Sequence, residues 1–91
     1  MIEITAVSFS HSKAHEHLTA VLWRSASTPA GHGAREAIVA WLDADSANEA
    51  VVADGATYVR VAVVRPEYGA PYLRTKVNGK WTDSLLALPT F

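Results

Sequence analysis

The dipeptide Asn78-Gly79, set between the β-forming runs Tyr72-Leu73-Arg74-Thr75-Lys76-Val77 and Lys80-Trp81-Thr82-Asp83, constrains this chain more than any other feature. A two-residue type I′ turn requires positive φ at both central positions, and Asn followed by Gly tolerates this best. Such a turn sets a register. Val77 should pair with Lys80, Lys76 with Trp81, Thr75 with Thr82 and Arg74 with Asp83, and paired residues share a face. One face of the ribbon then holds Tyr72, Arg74, Lys76, Trp81 and Asp83, and the other holds Leu73, Thr75, Val77, Lys80 and Thr82.

Upstream, residues 2–9 and 18–24 are β-branched and aromatic with partial alternation, which predicts a first antiparallel pair joined by the polar segment Ser10-His11-Ser12-Lys13-Ala14-His15-Glu16. Residues 25–33 are small, bear Pro and Gly, and show no periodicity, so they read as a loop. From residue 34 to 45 the apolar set Ala34, Ile38, Trp41 and Leu42 falls at i, i+4, i+7 and i+8, one stripe of an α-helix facing a sheet. Residues 49–53, the turn Asp54-Gly55 and residues 57–65 follow. In that last run Val59, Val61 and Val63 alternate with Tyr58, Arg60 and Ala62, the pattern of a half-buried strand. A turn-rich linker leads into the hairpin, and residues 85–88 close the core before Pro89.

The order is therefore ββ-α-ββ-ββ: an α+β, two-layer arrangement with one helix packed on a twisted, mainly antiparallel sheet. Trp41 should be buried against that sheet, and at least two of Trp23, Trp41 and Trp81 should lie between helix and sheet. With 91 residues the chain forms a single domain, residues 1–91. Its 49% hydrophobic and 19% charged residues are enough to bury a core and exclude intrinsic disorder. Zero cysteines exclude a disulfide framework and a thiol nucleophile and fit a cytoplasmic location. A formal net charge of -1 excludes a strongly basic nucleic-acid binder. The opening residues have neither a basic nor an apolar leader region, and no stretch has the length of a membrane span.

Two stretches carry a resemblance. His15-Glu16-His17-Leu18, running into a strand that ends Val21-Leu22-Trp23, together with Pro71-Tyr72-Leu73-Arg74-Thr75, Asn78-Gly79, Trp81-Thr82-Asp83 and Leu85-Leu86-Ala87-Leu88-Pro89, resembles a family of small bacterial and phage proteins described as domain of unknown function 3892. The similarity spans nearly the whole chain, and the C-terminal block is its most specific part. It implies a single small domain and brings no substrate, cofactor or catalytic residue with it.

Three histidines are the chain's candidate metal ligands. In an extended backbone His15 and His17 would project from one face, about 6.5–7 Å apart, and His11 could fold towards them. Three imidazoles can hold zinc with an open position. The spacing matches no recognised ligand pattern, so imidazoles bonding to backbone carbonyls are the simpler account. No Gly-rich phosphate loop is present, since Gly31-His32-Gly33 lacks the third glycine of a dinucleotide fingerprint. The serines lack a nucleophile-elbow context. Asp43, Asp45, Glu49 and Asp54 read as a solvated acidic surface.

The hairpin face is the stronger candidate. Arg74 opposite Asp83 and Lys76 opposite Trp81 make a cross-strand ion pair beside a cation–π contact. If residues 57–65 neighbour this ribbon, Tyr58 and Arg60 extend the same face. The expected site is then Tyr58, Arg60, Tyr72, Arg74, Lys76, Trp81 and Asp83, a composition that suits protein interfaces. The sequence therefore predicts a small non-enzymatic binding module with no cofactor and a protein as partner, with self-association into a homodimer compatible with it. A single-stranded nucleic-acid-binding accessory protein is the alternative. A zinc-dependent hydrolase using His11, His15 and His17 ranks third.

Overall fold

The computed structural model describes residues 1–26 and 29–91 of the chain. Strands β1 (Ile2–Phe9) and β2 (Leu18–Arg24) form the expected antiparallel pair. They are followed by β3 (Gly31–Ala34), helix α1 (Arg35–Ala44), β4 (Ala50–Asp54), β5 (Thr57–Val64), β6 (Tyr72–Val77) and β7 (Lys80–Thr82). These seven strands of the described residues share one sheet in the order β3-β2-β1-β4-β5-β6-β7. Among the described strands β1 and β4 pair in parallel and the other neighbours are antiparallel. Parallel neighbours need a long crossover, which β2, β3 and α1 supply together. The fold is thus α+β, with one small helix and a dominant, mostly antiparallel sheet.

One expected feature is corrected. Residues 25–33 do not form only a loop, because Gly31 to Ala34 pair with Trp23 to Ala20 as an edge strand. The order is therefore βββ-α-ββ-ββ rather than ββ-α-ββ-ββ. Propensity hid this strand, because a Gly-His-Gly run has few side chains to signal one. The glycine is required by packing instead. A Cβ on Gly31 would meet the Trp23 ring at 2.8 Å, so the indole lies directly on bare backbone. Ser27 and Thr28, part of the expected loop, lie outside the described residues.

The core lies between α1 and one face of the sheet. Ile4, Val7, Leu18, Val21, Val52, Leu73 and Leu85 are fully buried there, each side chain contributing roughly 1.5–3 kcal/mol by leaving water. On α1 the buried residues are Ile38 and Val39, with Trp41 and Leu42 packed half-buried beside them. The expected stripe therefore turns slightly. Ala34 falls in β3, and Val39 takes a core place that the i, i+4, i+7 pattern does not assign to it. Trp23 and Trp41 both pack against the core, whereas Trp81 does not. At the helix end Asn48 Nδ2 donates to the Trp41 carbonyl at 2.7 Å, satisfying one of the orphan acceptors of the last turn.

The C-terminal segment locks this arrangement. A 3-10 turn, Ser84–Ala87, buries Leu85 and carries the chain back across the sheet. There Val7 N–H donates to the Pro89 carbonyl at 3.0 Å, and Phe91 N–H donates to the Val7 carbonyl at 3.1 Å. β1 is thus flanked by β4 at its start and by the tail further along. No helix among the described residues is long and apolar enough to cross a membrane.

Candidate functional site

The hairpin turns where the sequence places it. Asn78 has φ 50° and Gly79 has φ 81°, both in the left-handed region a type I′ turn demands. Thr75 faces Thr82, Lys76 faces Trp81 and Val77 faces Lys80. β7 ends at Thr82, one residue short of Asp83, yet Arg74 still reaches that carboxylate: its Nη2 donates to Asp83 Oδ1 at 2.9 Å and its Nε to the Thr82 carbonyl at 3.2 Å.

Beneath this face a buried hydroxyl network fixes the hairpin base. Thr75, fully buried, donates to the Thr82 carbonyl at 3.1 Å and accepts from Ser84 N–H at 3.2 Å, and its hydroxyl lies 2.6 Å from that of Thr82. Leu73 and Thr75 point to the core, so Arg74 and Lys76 must point away from it.

β5 lies next to β6, with Arg60 facing Lys76, Ala62 facing Arg74 and Val64 facing Tyr72. Tyr58 and Arg60 therefore extend the outer face. A single cross-strand row runs from β2 to β7: Arg24 and Glu3, Glu3 and Val51, Val51 and Arg60, Arg60 and Lys76, Lys76 and Trp81 are successive facing partners. At roughly 4.8 Å between strands the row is about 24 Å long. The like-charged Arg60 and Lys76 stand directly opposite each other, which costs stability. Each is offset by a different partner. Arg60 Nη2 lies 3.0 Å from Glu49 Oε1, and Lys76 Nζ lies 4.6 Å from the centroid of the Trp81 ring. Trp81 is 39% and Tyr58 64% exposed.

Tyr72 shares the parity of this face but sits at its far end. It lines a cleft with Tyr68, Arg35 and Glu16 rather than joining the Lys76–Trp81 patch. Six of the seven expected residues are thus gathered around the hairpin, and the seventh opens onto a neighbouring cleft. Sequence reasoning missed Glu49, the counter-ion of Arg60, and Glu3, which pairs with Arg24 at 3.0 Å on the same row. Only the strand order could have revealed them.

The histidines are arranged differently from the expectation. Residues His15–His17 form a 3-10 turn, not an extended strand, so i and i+2 point in different directions. His11 and His17 meet edge to face with ring centroids 5.4 Å apart, and Ser12 Oγ lies 3.0 Å from His17 Nδ1. His15 is buried, with Nε2 3.8 Å from Asp83 Oδ1 and no hydrogen-bond partner among the described residues. Burial and the nearby Arg74 charge hold its pKa below the usual histidine value, against the opposing pull of Asp83 and Glu16. Among the described residues no three His, Asp or Glu side chains come together as metal ligands. The three histidines therefore do not form one cluster.

All five arginines are ion-paired: Arg24 with Glu3, Arg35 with Glu36, Arg60 with Glu49, Arg65 with Asp43 and Arg74 with Asp83. On the outer face the Arg24–Glu3, Arg60–Glu49 and Arg74–Asp83 pairs cancel in charge. No curated protein and no solved structure matches this chain. A family model described as protein of unknown function (DUF3892) matches residues 3–89, covering both the hairpin and the His15–His17 turn, and the chain belongs to that family.

Proposed function

We propose that this chain is a small binding module whose protein partner seats on the outer sheet face around Arg60, Arg74, Lys76 and Trp81, with Tyr58 and Asp83 at its margins. The observation that carries this reading is the exposed end of that row, where Arg60 and Lys76 oppose each other beside Trp81. A sheet built for stability alone would not place two cations there, and Trp, Tyr and Arg are the residues that dominate interface energetics. The pairing of every arginine with a carboxylate favours a protein over nucleic acid. Phosphate binding draws on uncompensated cations and the release of counter-ions, whereas protein interfaces use guanidinium groups already held in place.

The test is affinity capture from the native host with three baits: the wild-type chain, Lys76→Glu and Trp81→Ala. Lys76 and Trp81 are exposed, so both variants should keep the fold. A protein retained by the wild type and lost by both variants supports the reading. Retention of that protein by all three baits, or salt-sensitive binding of single-stranded oligonucleotides in its place, sinks it.

A further inference from the structure

We propose that the cleft between the first 3-10 turn, the start of α1 and the linker at residues 65–71 receives a basic side chain, lysine or arginine, from a protein partner. The source of that side chain rests on the binding-module reading. The chemistry of the cleft does not.

The cleft has a volume of about 590 Å³ and is lined by Glu16, Arg35, Pro66, Tyr68, Gly69 and Tyr72, among others. Arg35, whose side chain is only 16% exposed, belongs to its structure rather than to its recognition chemistry. Its Nη1 donates to the Glu16 carbonyl at 3.2 Å, tying α1 to the 3-10 turn, and its Nη2 donates to Glu36 Oε1 at 3.0 Å. That positive charge is therefore already compensated. The other polar groups are different. The Glu16 carboxylate and the Tyr68 and Tyr72 hydroxyls have no hydrogen-bond or ionic partner among the described residues. Tyr68 is 85% exposed at the rim, an aromatic ring left to solvent, and Gly69 with φ 98° turns the linker directly after it.

Arg35 Nε also has no partner among the described residues, but it is buried away from solvent, so the accessible unused groups here are the Glu16 carboxylate, the two tyrosine hydroxyls and their π-faces. A carboxylate with two tyrosine rings complements a group that brings positive charge and N–H donors, as a lysine ammonium or an arginine guanidinium does. An anion would meet the free Glu16 carboxylate, and the Arg35 guanidinium that could favour it is already bonded to Glu36 and to the Glu16 carbonyl. A neutral apolar group would strand the Glu16 carboxylate on burial.

The experiment is a ¹H–¹⁵N NMR titration of the full chain with N-acetyl-arginine amide, N-acetyl-lysine amide and, as the opposite charge, N-acetyl-glutamate amide. The basic probes should give saturable shifts at the amides of Glu16, Gly69 and Tyr72, and the acidic probe should not. Glu16→Gln should weaken the basic probes about fivefold, as expected for loss of one favourable ionic contact. The Glu16→Gln, Tyr68→Ala double variant should abolish saturation while the rest of the spectrum stays native. Lys76→Glu, remote on the hairpin face, should leave the titration unchanged. Equal binding of the acidic probe, no saturable shift with either basic probe, or unweakened binding by the double variant overturns the proposal. Because Lys76→Glu is read here by probe and above by capture, failure of the cleft and failure of the sheet-face reading give different results.

Discussion

Replacing Thr75 by Val is the most informative perturbation of the hairpin base, since it alters one atom in a site with no exposure. The hydroxyl carries one hydrogen, given to the Thr82 carbonyl, and it accepts from the Thr82 hydroxyl and from Ser84 N–H. Valine keeps the shape and removes all three bonds. The Thr82 carbonyl retains the Arg74 Nε donor, but Ser84 N–H and the Thr82 hydroxyl lose their partner. An orphaned buried donor costs about 1–3 kcal/mol, and both groups are half-buried, which puts each near the lower end of that range. The added methyl returns about 0.8 kcal/mol. The net loss is then roughly 1–2 kcal/mol. Thr75→Ser is the control: it keeps the network and removes one methyl, for a loss of about 1 kcal/mol. Urea unfolding followed by tryptophan fluorescence measures both. Thr75→Val should be the more destabilised of the two at an unchanged m-value. A valine variant as stable as the wild type, or more stable than the serine variant, would show that packing and not the hydroxyl network holds the hairpin base.

Three further outcomes are expected. Gly79→Val places a β-branched residue at φ 81° and should cost about 1–3 kcal/mol in urea unfolding, and a cost below about 0.5 kcal/mol would mean the turn relaxes to another type. Trp41→Ala should cost about 2 kcal/mol, less than the roughly 3–5 for a fully buried aromatic, because Trp41 only half enters the core; a loss near 5 would place the ring deeper than described. His15 has a folded pKa lowered from its ordinary 6.5, so the unfolded chain binds its proton more readily. The stability that neutral His15 contributes is present above about pH 6.5 and declines as the pH falls through 6.5 towards the folded value. His15→Phe should flatten the urea midpoint between pH 7 and 5, and an unchanged pH profile in that variant would assign the dependence to other groups.

The hairpin was legible because its signal is local: Asn-Gly imposes both the turn and the register with no reference to the rest of the chain. The same holds for β1, β2 and β5, where β-branched alternation needs only a face to bury. β3 was not legible, because its cause is tertiary. Gly31 pairs there because Trp23 on β2 covers it and β2 has an edge to satisfy, and neither fact is written in residues 29–34. The histidines misled through an assumed period, since extended backbone aligns i with i+2 and a 3-10 turn does not. On the candidate face the cations and aromatics could be read in sequence, but their carboxylate partners could not. Glu49 reaches Arg60 from the residue just before β4, and Glu3 belongs to the row only because β1 lies between β2 and β4.

The pairing of Val7 with the segment around Thr90 bears on the order in which the molecule assembles. β1 and β2 are close in sequence and can find each other early, as can β4 with β5 and β6 with β7. The contact between Val7 and Thr90 instead closes a loop of more than 80 residues, with an entropic cost of order 4 kcal/mol for a free chain. It forms cheaply only after the other pairings have drawn those segments together. Substitutions that weaken the tail should therefore accelerate unfolding and leave the folding rate nearly unchanged, the behaviour of a contact absent from the transition state.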